Sequence, residues 1–165
     1  MQNDVIYIGL SGRTNQEGID QFENFVRPLG VKVVSVPISK VLHLKSAVTA
    51  LPQGTIIGYE PLINDAAMEA LLLLRKGSIA LPAAKGEGKS ALKSDKKISS
   101  NFLSMPEEQG AHVVMLGQNY LLMSNKAPKS AELLRSMGYA PVLVDISEYE
   151  KLEGCVTCLS VRYRI

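Results

Sequence analysis

Residues 112–145, HVVMLGQNYLLMSNKAPKSAELLRSMGYAPVLVD, contain one complete unit of the predicted fold. Two apolar runs, His112 to Leu116 and Tyr120 to Met123, flank Gly117-Gln-Asn119, which is the pattern of a β-hairpin with a tight turn. A helix is predicted from Pro128 to Met137, because proline favours the first helical position and a glycine follows the last. The strand Pro141 to Asp145 completes a unit of strand, strand, helix and strand.

The junction that ends this unit occurs three times in the chain. A helix followed by a glycine and a strand is predicted at Leu29-Gly30-Val31, at Lys76-Gly77-Ser78 and at Met137-Gly138-Tyr139. The three glycines are 47 and 61 residues apart, and a lysine-rich insertion accounts for the longer spacing. Self-similarity at this period is typical of a modular array or propeller, in which each unit buries its apolar faces against its neighbours. The predicted fold class is α/β, a partial propeller of ββαβ units whose first unit lacks its opening strand.

The remaining elements follow from apolar periodicity and turn residues. Thr14, with Glu17 three residues later, forms a capping-box pattern that opens a first helix. Asn64 or Asp65 can cap a second helix that runs through Leu71 to Leu74. Residues 83–100 carry five lysines without an apolar period, which predicts a polar surface insertion. Further strands are predicted at Asp4 to Leu10, Val31 to Val36, Ser46 to Leu51, Thr55 to Gly58 and Ser78 to Leu81.

Composition narrows the class of protein. The chain has 165 residues, of which 46% are hydrophobic and 21% are charged. This length and this composition are typical of one globular domain. No apolar stretch approaches the roughly 18 residues that a membrane-spanning helix needs. Two cysteines without a signal-peptide pattern favour a reducing cytoplasm. A net charge of +2, 5% aromatic residues and the lack of tryptophan give no indication of nucleic-acid binding.

The C-terminal stretch EGCVTCLSVRYRI, residues 153–165, contains both cysteines of the chain. Its β-branched residues predict a strand from Val156 to Ile165, in which side chains alternate between two faces. Cys155 and Cys158 would then point apart, which argues against a redox pair and against half of a zinc site. Cys158 is a candidate nucleophile at the mouth of a pocket. The alternative is a free cysteine packed as a small hydrophobic residue.

A second motif indicates a different class of protein. Residues 83–90, AAKGEGKS, fit a relaxed phosphate-loop pattern, and Val142 to Asp145 resembles the strand that ends in a magnesium-side aspartate. However, Ala83 replaces the first glycine, Pro82 interrupts the preceding strand, and the residues after Ser90 offer no apolar face for a helix. Nucleotide binding is therefore a remote alternative. For the lysine-rich segment, a solvated loop is favoured over an RNA-binding strip.

Three separated motifs resemble a known enzyme family. IGLSGRTNQEG at 8–18, VLHLKS at 41–46 and EGCVTCLS at 153–160, in this order and spacing, closely resemble dimethylarginine dimethylaminohydrolase, of the guanidino-modifying amidinotransferase superfamily. The resemblance covers nearly the whole chain and fades through residues 83–110. It implies a pseudo-fivefold α/β propeller around a central active site, of which this chain resembles about the last three units.

The resemblance also implies site residues and a reaction. Cys158 matches the family's nucleophile, and His43 matches the acid/base that protonates the leaving amine and then activates water. Arg13 matches the arginine that pairs with the substrate's α-carboxylate, a task suited to a planar bidentate donor. Leu152 matches a position whose backbone contacts the substrate. The implied reaction is hydrolysis of Nω-methylated arginine to citrulline and dimethylamine, and it needs no metal or organic cofactor.

One part of the family pattern is missing from the sequence. In the family, the carboxylates that hold the guanidinium and orient the histidine come from the N-terminal half, one of them in a Gly-Gly-Asp-like segment. The resemblance therefore implies that this chain begins inside a longer protein and that a partner chain or a missing segment supplies those groups. The alternatives are another guanidine-modifying enzyme such as an arginine deiminase, and a non-catalytic interaction subunit.

Overall fold

The computed structural model describes residues 5–52, 54–73 and 102–161, which form a mixed α/β fold with three separate small sheets. The predicted strand Ser78 to Leu81, the insertion at 83–100 and the phosphate-loop pattern at 83–90 lie outside the described residues. Within the described ranges, no helix is long and apolar enough to cross a membrane. The elements are β1 (Val5–Leu10), α1 (Gln16–Val26), β2 (Lys32–Pro37), β3 (Val48–Ala50), β4 (Ile56–Gly58), α2 (Asp65–Leu73), β5 (Phe102–Ser104), β6 (Val114–Gly117), β7 (Tyr120–Ser124), α3 (Pro128–Ser136), β8 (Ala140–Val144) and α4 (Ser147–Glu150).

Two of the sheets share one topology. In β3-β4-β5 and in β6-β7-β8, an antiparallel hairpin precedes a helix and a third strand, which pairs in parallel with the second strand of the hairpin. In the remaining sheet, β1 and β2 flank α1 and pair in parallel, with Val5 opposite Lys32. The predicted unit is thus observed twice in full, and once without an opening strand among the described residues.

The predicted β6–β7 hairpin is observed, a second hairpin joins β3 to β4, and both turns contain residues with positive φ. In the β6–β7 turn, Gly117 has φ 124° and Gln118 has φ 47°. Gly54, in the β3–β4 turn, has φ 82°. Glycine adopts such angles without the steric penalty of a Cβ atom, which is why a turn that contains glycine between two apolar runs predicts a hairpin.

The start of α1 differs from the sequence prediction by one residue. The capping side chain is that of Asn15, whose Oδ1 accepts a hydrogen bond from the Gly18 backbone N–H at 2.9 Å. Thr14, the predicted cap, instead lies in a tight turn in which its carbonyl accepts from the Ser11 N–H at 3.0 Å. The Thr14–Glu17 capping box is therefore wrong, because this turn holds Thr14 outside the helix.

The third strand of the second unit was not predicted. β5 begins only at Phe102, which pairs with Ile56 of β4. A strand of three residues is too short to show a period of two, so its identity depends on the partner strand. A long segment of chain therefore separates α2 from the strand that completes its unit.

The hydrophobic core lies on both faces of the sheet β3-β4-β5, which belongs to the second unit. Ile56 and Ile57 are adjacent in β4 and point to opposite faces. Ile56 packs in a cluster with Val36 of β2 and Leu71 of α2, whereas Ile57 packs with Leu121 of β7 and Leu134 of α3. All three residues of β4 are buried. This central position holds the first and third units against the second.

Candidate active site

A cavity of about 540 Å³ opens where three distant parts of the chain meet. Its size is that of a small-molecule pocket. Three of the four predicted site residues line it, namely His43, Leu152 and Cys158. The other lining residues are Lys40, Val41, Leu42, Ser46, Leu62, Glu108, Gln109, His112, Glu150, Glu153, Gly154 and Cys155.

His43 is held by a short helical turn that precedes β3. Its backbone is extended, and its carbonyl accepts from the Ser46 N–H at 2.9 Å. The Ser46 carbonyl lies 2.7 Å from Nε2 of His112, a buried residue just before β6. Because a carbonyl oxygen can only accept, Nε2 of His112 is the donor. The turn that carries His43 is thereby fixed to the third unit.

The predicted C-terminal strand is wrong over its described part. Residues 155–159 form a helical turn, in which the N–H groups of Cys158 and Leu159 donate to the Cys155 carbonyl at 2.9 and 3.1 Å. The two cysteine sulfurs do not point apart but lie 3.2 Å from each other. Cys155 is buried and Cys158 is exposed. The geometric reason for excluding a thiol pair is therefore removed.

The surroundings of Cys158 favour its thiolate. The Cys155 thiol, which hydrogen bonds to the Cys158 sulfur, lowers the pKa of Cys158 below its ordinary value. Partial burial opposes this effect, while the Cys155 backbone, Thr157 and the positive charge of Lys45 add to it. A thiolate is the nucleophilic form of cysteine, so Cys158 is the more reactive of the two.

The helical turn of residues 155–159, here called the cysteine turn, follows a segment in which Glu150 is hydrogen-bonded to β7. Glu150 accepts a hydrogen bond from Ser124 Oγ at 2.6 Å and pairs with Lys126 Nζ at 2.9 Å. Burial by itself would raise the pKa of Glu150, but these two partners lower it below its ordinary value. At Gly154, a Cβ atom would lie 2.9 Å from the Tyr149 carbonyl oxygen, so the close approach requires glycine. Both contacts fix where the cysteine turn begins.

The other two predicted site residues, Leu152 and Arg13, line two different cavities. Leu152 is 84% exposed at the rim of the larger cavity. Arg13 lines a separate cavity of about 200 Å³, together with Leu42 and His43. Leu42 and His43 border both cavities, so the cavity that Arg13 lines adjoins the one that Cys158 lines.

Several polar residues of the larger cavity were not predicted from the sequence. The carboxylates of the site were expected from another part of the protein, yet Glu108, Glu150 and Glu153 line this cavity. His112, one of only two histidines in the chain, was predicted only as the start of a strand. Acidic lining residues favour a cationic ligand. Within the described ranges, no three His, Cys, Asp or Glu side chains are arranged to hold a metal ion.

Comparison with curated sequences confirms the resemblance inferred from the motifs. The dimethylarginine dimethylaminohydrolase of Streptomyces coelicolor is 51% identical over 161 residues, which are 98% of this chain and 51% of that protein. The enzyme of the same name from Pseudomonas aeruginosa is 26% identical over 165 residues, covering 99% of this chain and 53% of that protein. The chain thus spans about half the length of these relatives. No protein-family model matches it.

Solved structures agree with the sequence comparison. The Pseudomonas aeruginosa enzyme, as a cysteine-to-serine variant complexed with citrulline, superposes with a TM-score of 0.70 at 25% identity, covering 99% of this chain and 53% of that one. The substrate-bound N-terminal domain of a cyanobacterial arginine dihydrolase gives a TM-score of 0.68 at 13% identity, covering 94% and 50%. The second likeness shows the fold alone.

Proposed function

Because this chain is related to dimethylarginine dimethylaminohydrolases over 98% of its length, we propose that it carries the nucleophile and the acid/base of a hydrolase of Nω-methylated arginine. The products are citrulline and dimethylamine. The observation that carries the proposal is that Cys158 and His43 line the same cavity. The related solved structure contains citrulline, the product expected here.

The reaction has two halves, and each uses both residues. First, the Cys158 thiolate attacks the central guanidinium carbon and a C–S bond forms. His43, as imidazolium, gives its proton to the dimethylamine nitrogen, and the C–N bond breaks. Second, the now neutral His43 takes a proton from water, and the resulting hydroxide attacks the same carbon. The C–S bond breaks and the added hydroxyl loses its proton to solvent, which releases neutral citrulline and regenerates the thiolate. The lowered pKa of Cys158 supports the first half.

We assign substrate binding to Arg13 and Leu152. Arg13 pairs with the α-carboxylate of the substrate, because a guanidinium can hold a carboxylate with two parallel hydrogen bonds. The Leu152 backbone contacts the substrate at the rim. The glutamates in the cavity wall contribute negative charge near the guanidinium. Glu150 already pairs with Lys126, so Glu108 and Glu153 are the carboxylates with more charge to offer.

We propose that the site is completed by protein other than residues 1–165. A guanidinium held without paired carboxylates would lose several kcal/mol, and the relatives are about twice as long as this chain. We therefore assign the missing carboxylates to a partner chain or a further segment, with the three units forming part of a pseudo-fivefold propeller. Residues 1–165 form one catalytic domain in this proposal. Two free cysteines suit a reducing cytoplasm.

The test is citrulline formation from asymmetric dimethylarginine by the protein in its natural assembly. Cys158→Ser and His43→Ala should each reduce turnover at least a hundredfold, while Ser136→Ala, at the exposed end of α3, should leave it unchanged. Turnover that survives Cys158→Ser would refute covalent catalysis by that residue.

The same assay distinguishes the alternative substrates. Ammonia and citrulline formed from arginine, without dimethylamine from the methylated substrate, would identify an arginine deiminase. No product from either guanidine, with intact thermal unfolding, would favour the non-catalytic interaction subunit.

A further inference from the structure

The two cysteines form a pair that the proposed hydrolysis does not need. Hydrolysis requires only Cys158 as a nucleophile, yet the buried Cys155 thiol lies 3.2 Å from its sulfur. A second contact of 3.0 Å, with Thr157 Oγ1, fixes the Cys155 sulfur in place. The chain has two cysteines in total, so each has the other as its one intramolecular thiol partner.

We propose that Cys155 and Cys158 are an oxidation site that closes to a reversible intramolecular disulfide, with Cys158 as the attacking thiol and Cys155 as the resolving thiol. The oxidant is a peroxide. The sulfur chemistry depends only on the geometry of the turn, whereas the accompanying loss of activity rests on the proposed function.

The turn permits the bond with little movement. Closure requires the sulfurs to move from 3.2 Å to about 2.0 Å, the length of a disulfide. Residues i and i+3 of a helical turn have Cα atoms roughly 5 Å apart, within the range that disulfides span. Rotation about the Cα–Cβ bonds can provide such a shift while the hydrogen bonds that define the turn remain.

Burial assigns the order of the two steps. Exposed Cys158 meets the peroxide first; its thiolate attacks one oxygen, the O–O bond breaks, and a sulfenic acid and one water form once the leaving hydroxide is protonated. The Cys155 sulfur then attacks the Cys158 sulfur. The S–S bond forms, the S–O bond breaks, and the hydroxyl leaves as water with the Cys155 proton. Two thiols lose two electrons, and one peroxide gains them as it becomes two waters.

The consequence is protection as well as inactivation. A lone sulfenic acid is oxidised further to sulfinic and sulfonic acids, which cellular thiols do not reduce. With Cys155 in contact, the sulfenic acid is consumed before a second peroxide arrives. Reduction by a dithiol then restores both sulfurs.

The test is mass spectrometry of the whole protein after treatment with hydrogen peroxide. The wild type should lose two hydrogen atoms and all alkylatable thiol as a monomer, and dithiothreitol should restore both. Cys155→Ser should instead gain two or three oxygen atoms at Cys158, without recovery in dithiothreitol. Cys155→Ala repeats this test if the serine variant fails to fold. Ser160→Ala, on the same turn with both thiols intact, should close like the wild type.

Three outcomes would overturn the proposal. They are a sulfinic acid at wild-type Cys158 while Cys155 stays alkylatable, a disulfide between two chains, and closure that no reductant reverses. A monomeric disulfide in a protein that shows no citrulline formation would leave this site standing and remove the hydrolase proposal. Citrulline formation without any disulfide would do the reverse.

Discussion

Glu107 gives the sharpest test of how the cavity wall is held, because it caps a helix from outside. Helix α3 starts at Pro128, and Ala127 before it has no side chain that could cap. The carboxylate of Glu107 accepts instead from the backbone N–H groups of Lys129 at 3.0 Å and Ser130 at 2.7 Å, and from Ser130 Oγ at 2.6 Å. Replacement by alanine removes all three hydrogen bonds.

The expected loss of stability in Glu107→Ala follows from the hydrogen bonds that the substitution removes. A missing helix cap costs about 0.5–2 kcal/mol. The fully buried Ser130 hydroxyl, left without its acceptor, costs about 1–3 kcal/mol more. We expect Glu107→Ala to lower the free energy of unfolding by about 2–4 kcal/mol, a fall in Tm on the order of 10 °C for a chain of this length. Glu107→Gln keeps one acceptor oxygen and should cost about half as much.

The pH dependence gives an independent check. Burial alone would raise the pKa of Glu107, but hydrogen bonds from Ser130 and Lys129 hold it below its ordinary value. A group with a lowered folded pKa stabilises fully above its unfolded pKa, about 4.3 for glutamate, and loses that contribution as pH falls through the folded value. The difference in Tm between wild type and Glu107→Ala should therefore be constant at neutral pH and shrink in acid.

Thermal unfolding by circular dichroism between pH 3 and 7 measures both effects. Glu108→Ala, at the adjacent exposed position, is the matched control and should change stability by less than about 0.5 kcal/mol. A Glu107→Ala protein as stable as this control at pH 7, or a difference that persists unchanged in acid, would refute the capping role.

Three further changes test the core and the thiol pair. Gly110→Ala should destabilise by about 2–3 kcal/mol in urea unfolding, since its Cβ would overlap Ser130 Oγ and Cβ; a neutral result would contradict the packing. Leu134→Ala, fully buried in α3, should cost about 2–5 kcal/mol in the same assay, and a loss below 1 kcal/mol would place Leu134 outside the core. Cys155→Ala should raise the pKa of Cys158, because the hydrogen bond from the Cys155 thiol is its main lowering cause; the midpoint of iodoacetamide labelling against pH should move up, and Cys155→Ser should recover part of the shift.

The sequence predicted those turns and helix ends that depend on residues close to one another in the chain. The β6–β7 hairpin depends on Gly117 and its neighbours, and the short helical turn 27–29 that follows α1 ends at Gly30, whose φ is 74°. The choice between Thr14 and Asn15 as a cap depends on a tight turn that pairs Thr14 with Ser11, and the capping-box pattern does not take that turn into account. β5 has a cause that is not local, since its three residues become a strand only beside β4.

His43, Arg13 and Leu152 were predicted through motif resemblance alone, whereas Cys158 was also a candidate from its place in the C-terminal stretch. His43 and Cys158 lie far apart in the chain, and nothing near either one indicates that they line one cavity. Glu107 and His112 escaped notice for the same reason. Each acts across the fold, on Ser130 and on the Ser46 carbonyl, and such long-range hydrogen bonds leave no local signal.

The error at the C-terminal stretch shows why backbone geometry decides which cysteine can react. In a strand, Val156 and Cys158 would share a face, so burying the valine would bury the thiol. In a helical turn, each residue rotates by about 100°, which sets these two positions on opposite sides and brings Cys155 and Cys158 to within about 60° of each other. Val156 is 2% exposed whereas Cys158 is exposed, as the turn requires and a strand forbids. The β-branched residues that favoured a strand have a context-dependent preference, and here burial of Val156 outweighed it. One turn thus opens Cys158 to the cavity and keeps a second thiol beside it.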